Sequence, residues 1–580
     1  MDREKPVQAE ILHTRPITNL LLLSVIAGLA IVPFIHWGNP SGHDFEFHMY
    51  SWMEVLQQWK LGVIYPHWAG QAHWGCGEAR FLFYPPGSWV MGATLGAIVP
   101  WKVVPGVYCW MVLTLAGFSM YVLARRWLGP SNALFAAAFY ALNPYHLLVI
   151  YWRSAFAELL AAVLLPLVPL CLLKLKGGSE RAVMWLGLVF AGAWLANAPA
   201  AVMIHYSAAG LVVVLALQEK SAKAAIGILA KTGAAVVLGA GMAAVYLVPA
   251  IYEEPWVSIA ALLSPGVRPQ DNFLFTYIAD ADHNRFNLLV SLVAMSEIAV
   301  FAVAAWMASR RSHKNSDDGL IRSAWTWLAS WGAVAALAMV PVCNFLWLYL
   351  PKFRYVQLPF RWLLCLNVPL ALLLAGATAC MKSNGARWMA RTLVCAFLLA
   401  TLLVSGRRVQ PPWWDQAADI QEMDDAMVDG IGYDGTDEYV PAGDDPYELK
   451  KDLPQVSDEN GAAVKVQVLS WSATDKHFSV RANSTKNLTI RLFNYPAWKV
   501  TVNSHEVATP SSEVTGLMIV PVGSGENDVQ IIFGRTRDCT VGGVISLLSI
   551  VLFAGLVIKT SGARKPRDAG ERSTKTGRTS

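Results

Sequence analysis

Charge is what this sequence has least of. Only 15% of its 580 residues are Asp, Glu, Lys or Arg, against roughly 25% in average soluble domains, and the mean hydropathy is +0.40. The deficit falls in blocks: residues 17–37, 106–123, 288–307 and 541–558 are apolar and near the ~20 residues that a spanning helix needs. Such continuous runs exclude an alternating barrel and leave helices to satisfy the backbone in hydrocarbon. Cysteine is also scarce. Of the 8 cysteines, Cys171, Cys365, Cys380 and Cys395 fall in apolar runs, and no spacing suits a disulfide framework or a zinc ribbon. A Cys76–Cys539 bridge is the one pairing left open. No Walker A loop, HExxH pair, GxSxG elbow or CxxC pair occurs, so nucleotide-driven chemistry has no motif behind it. The net charge of +5 is accounted for by basic loops and a basic tail, so no nucleic-acid partner is expected.

What is present reads as a polytopic α-helical membrane protein. Spans fall at 17–37, 105–124, 131–149, 155–174, 182–197, 199–217, 224–250, 288–308, 323–342, 360–380, 387–404 and 541–559, about twelve in all. The first lacks a small-residue cleavage site and reads as an anchor. Lys and Arg at Arg3, Lys5, Arg15, Arg125, Arg126, Arg310, Arg311, Lys314 and Lys559–Arg567 favour a plasma-membrane protein with both termini cytoplasmic. Strict alternation does not keep every basic loop inside, which puts one or two boundaries between 125 and 225 in error. The expected organisation is a cytoplasmic N-terminus at 1–16, a membrane module at 17–404, an outer region at 405–540, a last span at 541–559 and a basic cytoplasmic tail at 560–580.

Two outer regions stand out. The first outer loop, 38–104, carries Phe45, Met49, Trp52, Leu56 and Trp59 at helical spacing, an apolar stripe expected to lie on the membrane surface. Within it, 87–101 is apolar but short and reads as interfacial or re-entrant. The second region begins acidic and turns, from Ala462, into alternating runs such as VKVQVLSW, LTIRLFNY and DVQIIFG, which predict a small extracytoplasmic β-sandwich.

Chemistry concentrates at HDFEFH, the densest set of protonatable groups. A partly desolvated carboxylate here can act as general base or metal ligand, and Asp44 is equally a favoured helix cap. If the segment is extended, Asp44, Glu46 and His48 face one way; if helical, only Asp44 and His48 do. Arg153 and Glu158 form a second set, with Glu158 one turn into an apolar run where a lone carboxylate is costly. Lys352, Arg354, Gln357 and Arg361 form a third, a cationic cluster able to hold a phosphate or to anchor on lipid headgroups. Glu297 and His205 look mid-membrane and read as buried hydrogen-bonding groups.

These residues also carry a resemblance. GHDFEFH, LGVIYPHW and GCGEARFLFYPP, with Arg153–Glu158, Gln357–Arg361 and Gly435–Pro441, resemble the bacterial and archaeal membrane family labelled "6-pyruvoyl-tetrahydropterin synthase-related". The order of elements resembles the GT-C class of membrane glycosyltransferases. YPAWKVTVN is similar to the C-terminal end of membrane proteins that decorate teichoic acids with sugars.

The resemblance implies a GT-C-like module and an inverting transfer from a polyprenyl-phosphate-linked sugar at the outer face to an extracytoplasmic acceptor. It makes Asp44 the base or metal-coordinating carboxylate, with Glu46 and His48 as helpers; a divalent cation, Mg or Mn, held by Asp44, Glu46 and His48 is one implied arrangement. Lys352, Arg354, Gln357 and Arg361 become the donor-phosphate site, supported by Arg153, Glu158, Arg80 and Tyr84. One departure is Asn197-Ala198-Pro199, where relatives carry a His-bearing turn. The rival readings are a transporter or lipid flippase without chemistry, which predicts charge pairs at mid-bilayer, and a non-catalytic glycan-binding assembly protein.

Overall fold

The computed structural model describes residues 16–312, 319–381, 383–409 and 411–562. The basic groups at Arg3, Lys5, Arg15, Lys314 and Arg564–Arg567 lie outside them.

Among the described residues, eight helices are long and apolar enough to cross a membrane: Trp101–Ala124, Pro130–Arg153, Ala198–Leu217, Ala222–Met242, Ala281–Arg310, Pro359–Ala379, Asn384–Arg408 and Arg537–Thr560. The other four of the twelve expected spans are short, broken or bent, and proline accounts for most of this. The first is split into Pro16–Ala30 and Val32–Trp37, with Pro33 opening the second piece. That at 155–174 becomes Phe156–Ala161 and Leu167–Lys176, parted at Pro166. Arg181–Ala196 is a turn too short, and Trp325–Leu337 bends by 92° into Pro341–Tyr349. Pro359–Ala379 is the central helix, 94% buried along its apolar stretch, whereas the last helix is 11% buried.

The loop 38–104 does not lie stripe-down on a membrane surface. Phe45, Met49 and Trp52 of the helix Phe45–Lys60 are fully buried within the protein. Trp52 stacks on Tyr108 (centroids 5.2 Å apart) and lies against Gly92 of Pro86–Gly96, where any Cβ would meet its ring at 2.1 Å. Pro86–Gly96, at 11 residues, is about half the length of a span. The stripe periodicity is helical, as the sequence required, but its partner is other helices.

The C-terminal region is β-rich. A five-stranded antiparallel sheet runs in the order Val466–Trp471, Asp475–Ala482, Gly525–Phe533, Trp498–Val502, His505–Glu506; a three-stranded one places Lys486–Phe493 between Val456–Ser457 and Leu517–Val522. Inward Phe478, Val480, Ile490, Leu492, Val520, Val529 and Ile531 share one apolar cluster, as the period-two pattern demands. Trp68, Leu82 and Phe83 of the loop 38–104 join that cluster. The acidic stretch ahead of the sheets clasps the same loop: Trp414–Asp415 pairs antiparallel with Asn39–Pro40. The Tyr433 hydroxyl donates to Glu54 at 2.7 Å, and the Thr436 N–H to Glu78 at 2.8 Å. Cys76 and Cys539 are free thiols, so the bridge left open by the sequence does not form.

Candidate functional site

The turn carrying Asp44 is built on the end of another helix. Pro130–Arg153 finishes in a π-helical turn, Val149–Arg153, and Ser154 then takes a left-handed conformation (φ 49°). Turns of this kind recur at functional positions because they re-aim side chains. The Ser154 hydroxyl donates to the Pro40 carbonyl (2.8 Å) and accepts from the Gly42 N–H (3.0 Å); the Asp44 N–H donates to the Arg153 carbonyl (2.8 Å). Gly42 is required here, since a Cβ would lie 2.7 Å from Arg153 C and Trp152 O. Asp44 occupies the N-cap of Phe45–Lys60 yet makes no side-chain cap bond. Its carboxylate, 39% exposed, instead faces Arg153, with Oδ2 at 3.8 Å from Nη2.

Behind Asp44 lies a buried charge centre. Glu158 Oε2 accepts from Arg153 Nη1 at 2.5 Å and from Arg361 Nε at 3.1 Å, and Glu158 Oε1 accepts from the Tyr145 hydroxyl. Glu158 and Arg153 are almost wholly inaccessible. Arg361 Nη1 donates to the Val356 carbonyl (2.7 Å) and to Gln357 Oε1 (3.2 Å). Gln357, itself at φ 63°, donates from Nε2 to the Leu262 carbonyl (2.8 Å). Two guanidinium charges thus meet one buried carboxylate, leaving a net positive charge on the side facing Asp44. Glu158 is the partner its own position called for: a carboxylate one turn into apolar chain, compensated twice.

The structure separates several residues that the sequence had grouped. Lys352 pairs with Glu254 (2.9 Å), and Arg354 lies over Tyr355; neither makes a hydrogen bond or ion pair with the Glu158 centre, because their short 3-10 segment is turned away by the left-handed Lys352 and the kinked Gln357. Arg80 pairs with Glu78 at 2.5 Å and belongs to the clasp with the acidic stretch. Tyr84 packs against Phe47 and His48; burial, then the charge of Asp44, pushes its phenol well above its ordinary pKa. Glu46 is exposed, two residues and hence some 200° round the helix from Asp44. His48 is buried, with Nδ1 3.3 Å from the Ser88 hydroxyl and its ring against Trp52, Tyr84 and Phe156. Burial brings its pKa to about 4, although the charge of Asp44 opposes the shift. Asp44, Glu46 and His48 therefore do not converge as ligands; among the described residues the one such gathering of three lies elsewhere. They do not fit a shared Mg or Mn ion.

Tyr145 and Ser154 belong to the site and escape sequence reasoning, since a hydroxyl at a helix start carries no charge signal. His43 also lies here, its ring against Phe286 and Trp413; desolvation lowers its pKa while Asp44 opposes. Its place in HDFEFH was the available clue. Asn197, the departure noted above, caps Ala198–Leu217 by accepting from the Ala200 N–H at 2.9 Å. Glu297 accepts from the Tyr145 N–H (3.1 Å) and His205 bonds the Ala201 carbonyl (2.7 Å).

No family model and no curated protein matches the chain, so the family suggested by the motifs has no such match behind it. Among solved structures, the chain is similar to the arabinofuranosyltransferase AftD from Mycobacteria (TM-score 0.42, 17% identity, 67% of this chain and 27% of that one). It is also similar to the Archaeoglobus fulgidus oligosaccharyltransferase in its apo form (0.40, 13%, 69% and 56%). The archaeal oligosaccharyltransferase AglB, in complex with an inhibitory peptide and a dolichol-phosphate, gives 0.41 and 12%, with 68% and 56% covered. The chain thus spans between about a quarter and just over half of the length of these proteins.

Proposed function

We propose that this chain is a membrane glycosyltransferase that moves a sugar from a polyprenyl-phosphate donor to an extracytoplasmic acceptor, a cell-envelope glycan, lipid or protein. The observation that carries this reading is the half-exposed Asp44 carboxylate set against two guanidiniums that share one buried carboxylate. Asp44 takes the proton of the acceptor hydroxyl as that oxygen attacks the anomeric carbon. The bond from that carbon to the phosphate oxygen breaks with inversion, and the polyprenyl phosphate leaves with the electron pair. Arg361 and Arg153 stabilise the charge on the leaving phosphate; guanidinium is suited to this because its donors match phosphate oxygens and stay charged. Glu158, Tyr145 and Gln357 hold the arginines in place before substrate arrives, which is what electrostatic stabilisation requires. The acidic stretch and the β region, read as an outer sandwich, stand over the loop that bears Asp44 and would present the acceptor.

The test is direct. Purified protein given polyprenyl-phosphate sugars should transfer, or slowly hydrolyse, the sugar. Wild-type protein inactive on every such donor, or Asp44→Asn as active as wild type, removes the reading or the role of Asp44 respectively.

A further inference from the structure

A second polar cluster sits away from Asp44, where the last helix leaves the β region. Glu253 closes the helix Ala244–Tyr252, and Asp538 and Cys539 stand in the first turn of Arg537–Gly562. All three are buried, and one ligand atom from each lies within 4.8 Å of the others. His67, from the first outer loop, brings Nε2 to 3.7 Å from Cys539 Sγ. Two ligands on one tetrahedral zinc, at about 2.3 Å for sulfur and 2.0–2.1 Å for nitrogen, would stand about 3.6 Å apart.

Two features point to a cation as the partner of this cluster. Asp538 Oδ2 has no hydrogen-bond partner among the described residues, and Asp538 is only 7% exposed. Such an atom normally costs free energy that a partner offsets. Glu253, by contrast, is held firmly: its carboxylate accepts from the Tyr495 hydroxyl (2.5 Å) and from Thr536 Oγ1 (3.0 Å), as the outer partners of a metal ligand do. Two adjacent buried carboxylates must share a proton or a cation. Arg535 is the cation close to His67, and no ion pair joins it to either carboxylate among the described residues.

We infer that Glu253, Asp538 and Cys539, with His67 beside the thiol, form a binding site for a divalent cation of the zinc class. A thiolate and two carboxylates are borderline-soft and hard donors, three of the four that tetrahedral zinc takes, and the His67 imidazole stands next to the thiol as the nearest candidate for the fourth. The ion would fasten four parts of the chain: the first outer loop, the end of Ala244–Tyr252, the last helix and, through Tyr495, the β region. It is a structural staple, independent of the transferase reading.

The experiment uses full-length protein in detergent, without a polyhistidine tag and purified without added metal or chelator. Elemental analysis should find about one zinc per chain, or zinc uptake to that level on incubation with Zn²⁺. Cys539→Ser and Asp538→Asn should each lose most of it, and Zn²⁺ should raise the melting temperature of wild type but not of these variants. Co²⁺ in place of Zn²⁺ should give a thiolate-to-cobalt charge-transfer band in wild type, which decides the matter even where a variant fails to fold. Absence of bound zinc and of that band in wild type overturns the proposal and leaves Glu253 and Asp538 sharing a proton. Zinc retained at full level by Cys539→Ser overturns the ligand assignment.

Discussion

Arg153 and Arg361, some 200 residues apart in the chain, converge on the same Glu158 oxygen, at 2.5 and 3.1 Å. Removing that oxygen's charge leaves two buried cations facing each other. Glu158→Gln should therefore cost about 3–5 kcal/mol, the range for breaking a buried ion pair, read as a large fall in melting temperature. Adding Arg361→Met should recover part of the loss, because it removes one of the stranded charges; a double-mutant cycle measures the coupling.

Asp44 and Glu46 separate cleanly under substitution. Asp44→Asn should lower transfer by about 10²–10⁴, the usual contribution of a general base, while donor affinity holds. Glu46→Gln, altering an exposed group on another face of the helix, should leave the rate near wild type. Steady-state kinetics with one donor compares the two.

The cationic residues near the central helix divide in the same way. Arg361→Lys keeps the charge but loses the planar fork that reaches Glu158, Val356 and Gln357 together; it should slow transfer by about tenfold or more, roughly the 1.4 kcal/mol of one charge-assisted hydrogen bond. Lys352→Ala and Arg354→Ala, at exposed pairs, should change transfer less than twofold, since such pairs are worth under about 1 kcal/mol.

Acid should loosen the clasp on the loop 38–104. Burial alone would raise the Glu78 pKa from 4.5, but Arg80 beside it, with His73 and the Thr436 N–H, holds it down to about 2. The stabilisation is complete above pH 4.5 and is lost as pH falls from there towards 2. It amounts to about 3 kcal/mol at 1.36 kcal/mol per pH unit. Melting temperature against pH should fall over that window in wild type, and the fall should shrink in Glu78→Gln.

Much of the architecture was legible because its signals are local. Apolar runs marked eight helices long enough to cross a membrane, and period-two runs marked strands such as Asp475–Ala482. Proline placement was visible at Pro33, Pro166 and Pro341, but whether a proline ends a helix or only opens the next depends on packing. For the site, Glu158 announced itself as a carboxylate needing a partner. That Arg361 would supply it was not legible, because the pairing is made by tertiary contact alone. Sequence proximity misled with Lys352 and Arg354: only eight residues lie between Lys352 and Arg361, yet two residues at positive φ turn that segment aside. The stripe on Phe45–Lys60 was read correctly as helical but given the wrong partner, since periodicity reports an apolar face and not what covers it.

The clasp also sets an order of assembly during synthesis. Glu54 waits for Tyr433 across 379 residues of chain, and Glu78 for Thr436 across 358. At about 5–20 residues per second, the loop that carries Asp44 stands for roughly 20–75 s with Glu54 and Glu78 still lacking these two late partners. For that interval a nascent chain holds its first helix in place beside an unfinished loop, exposed to quality control. Substitutions in Gly435–Pro441 should therefore lower the amount of protein that reaches the membrane more than they lower the activity of what arrives.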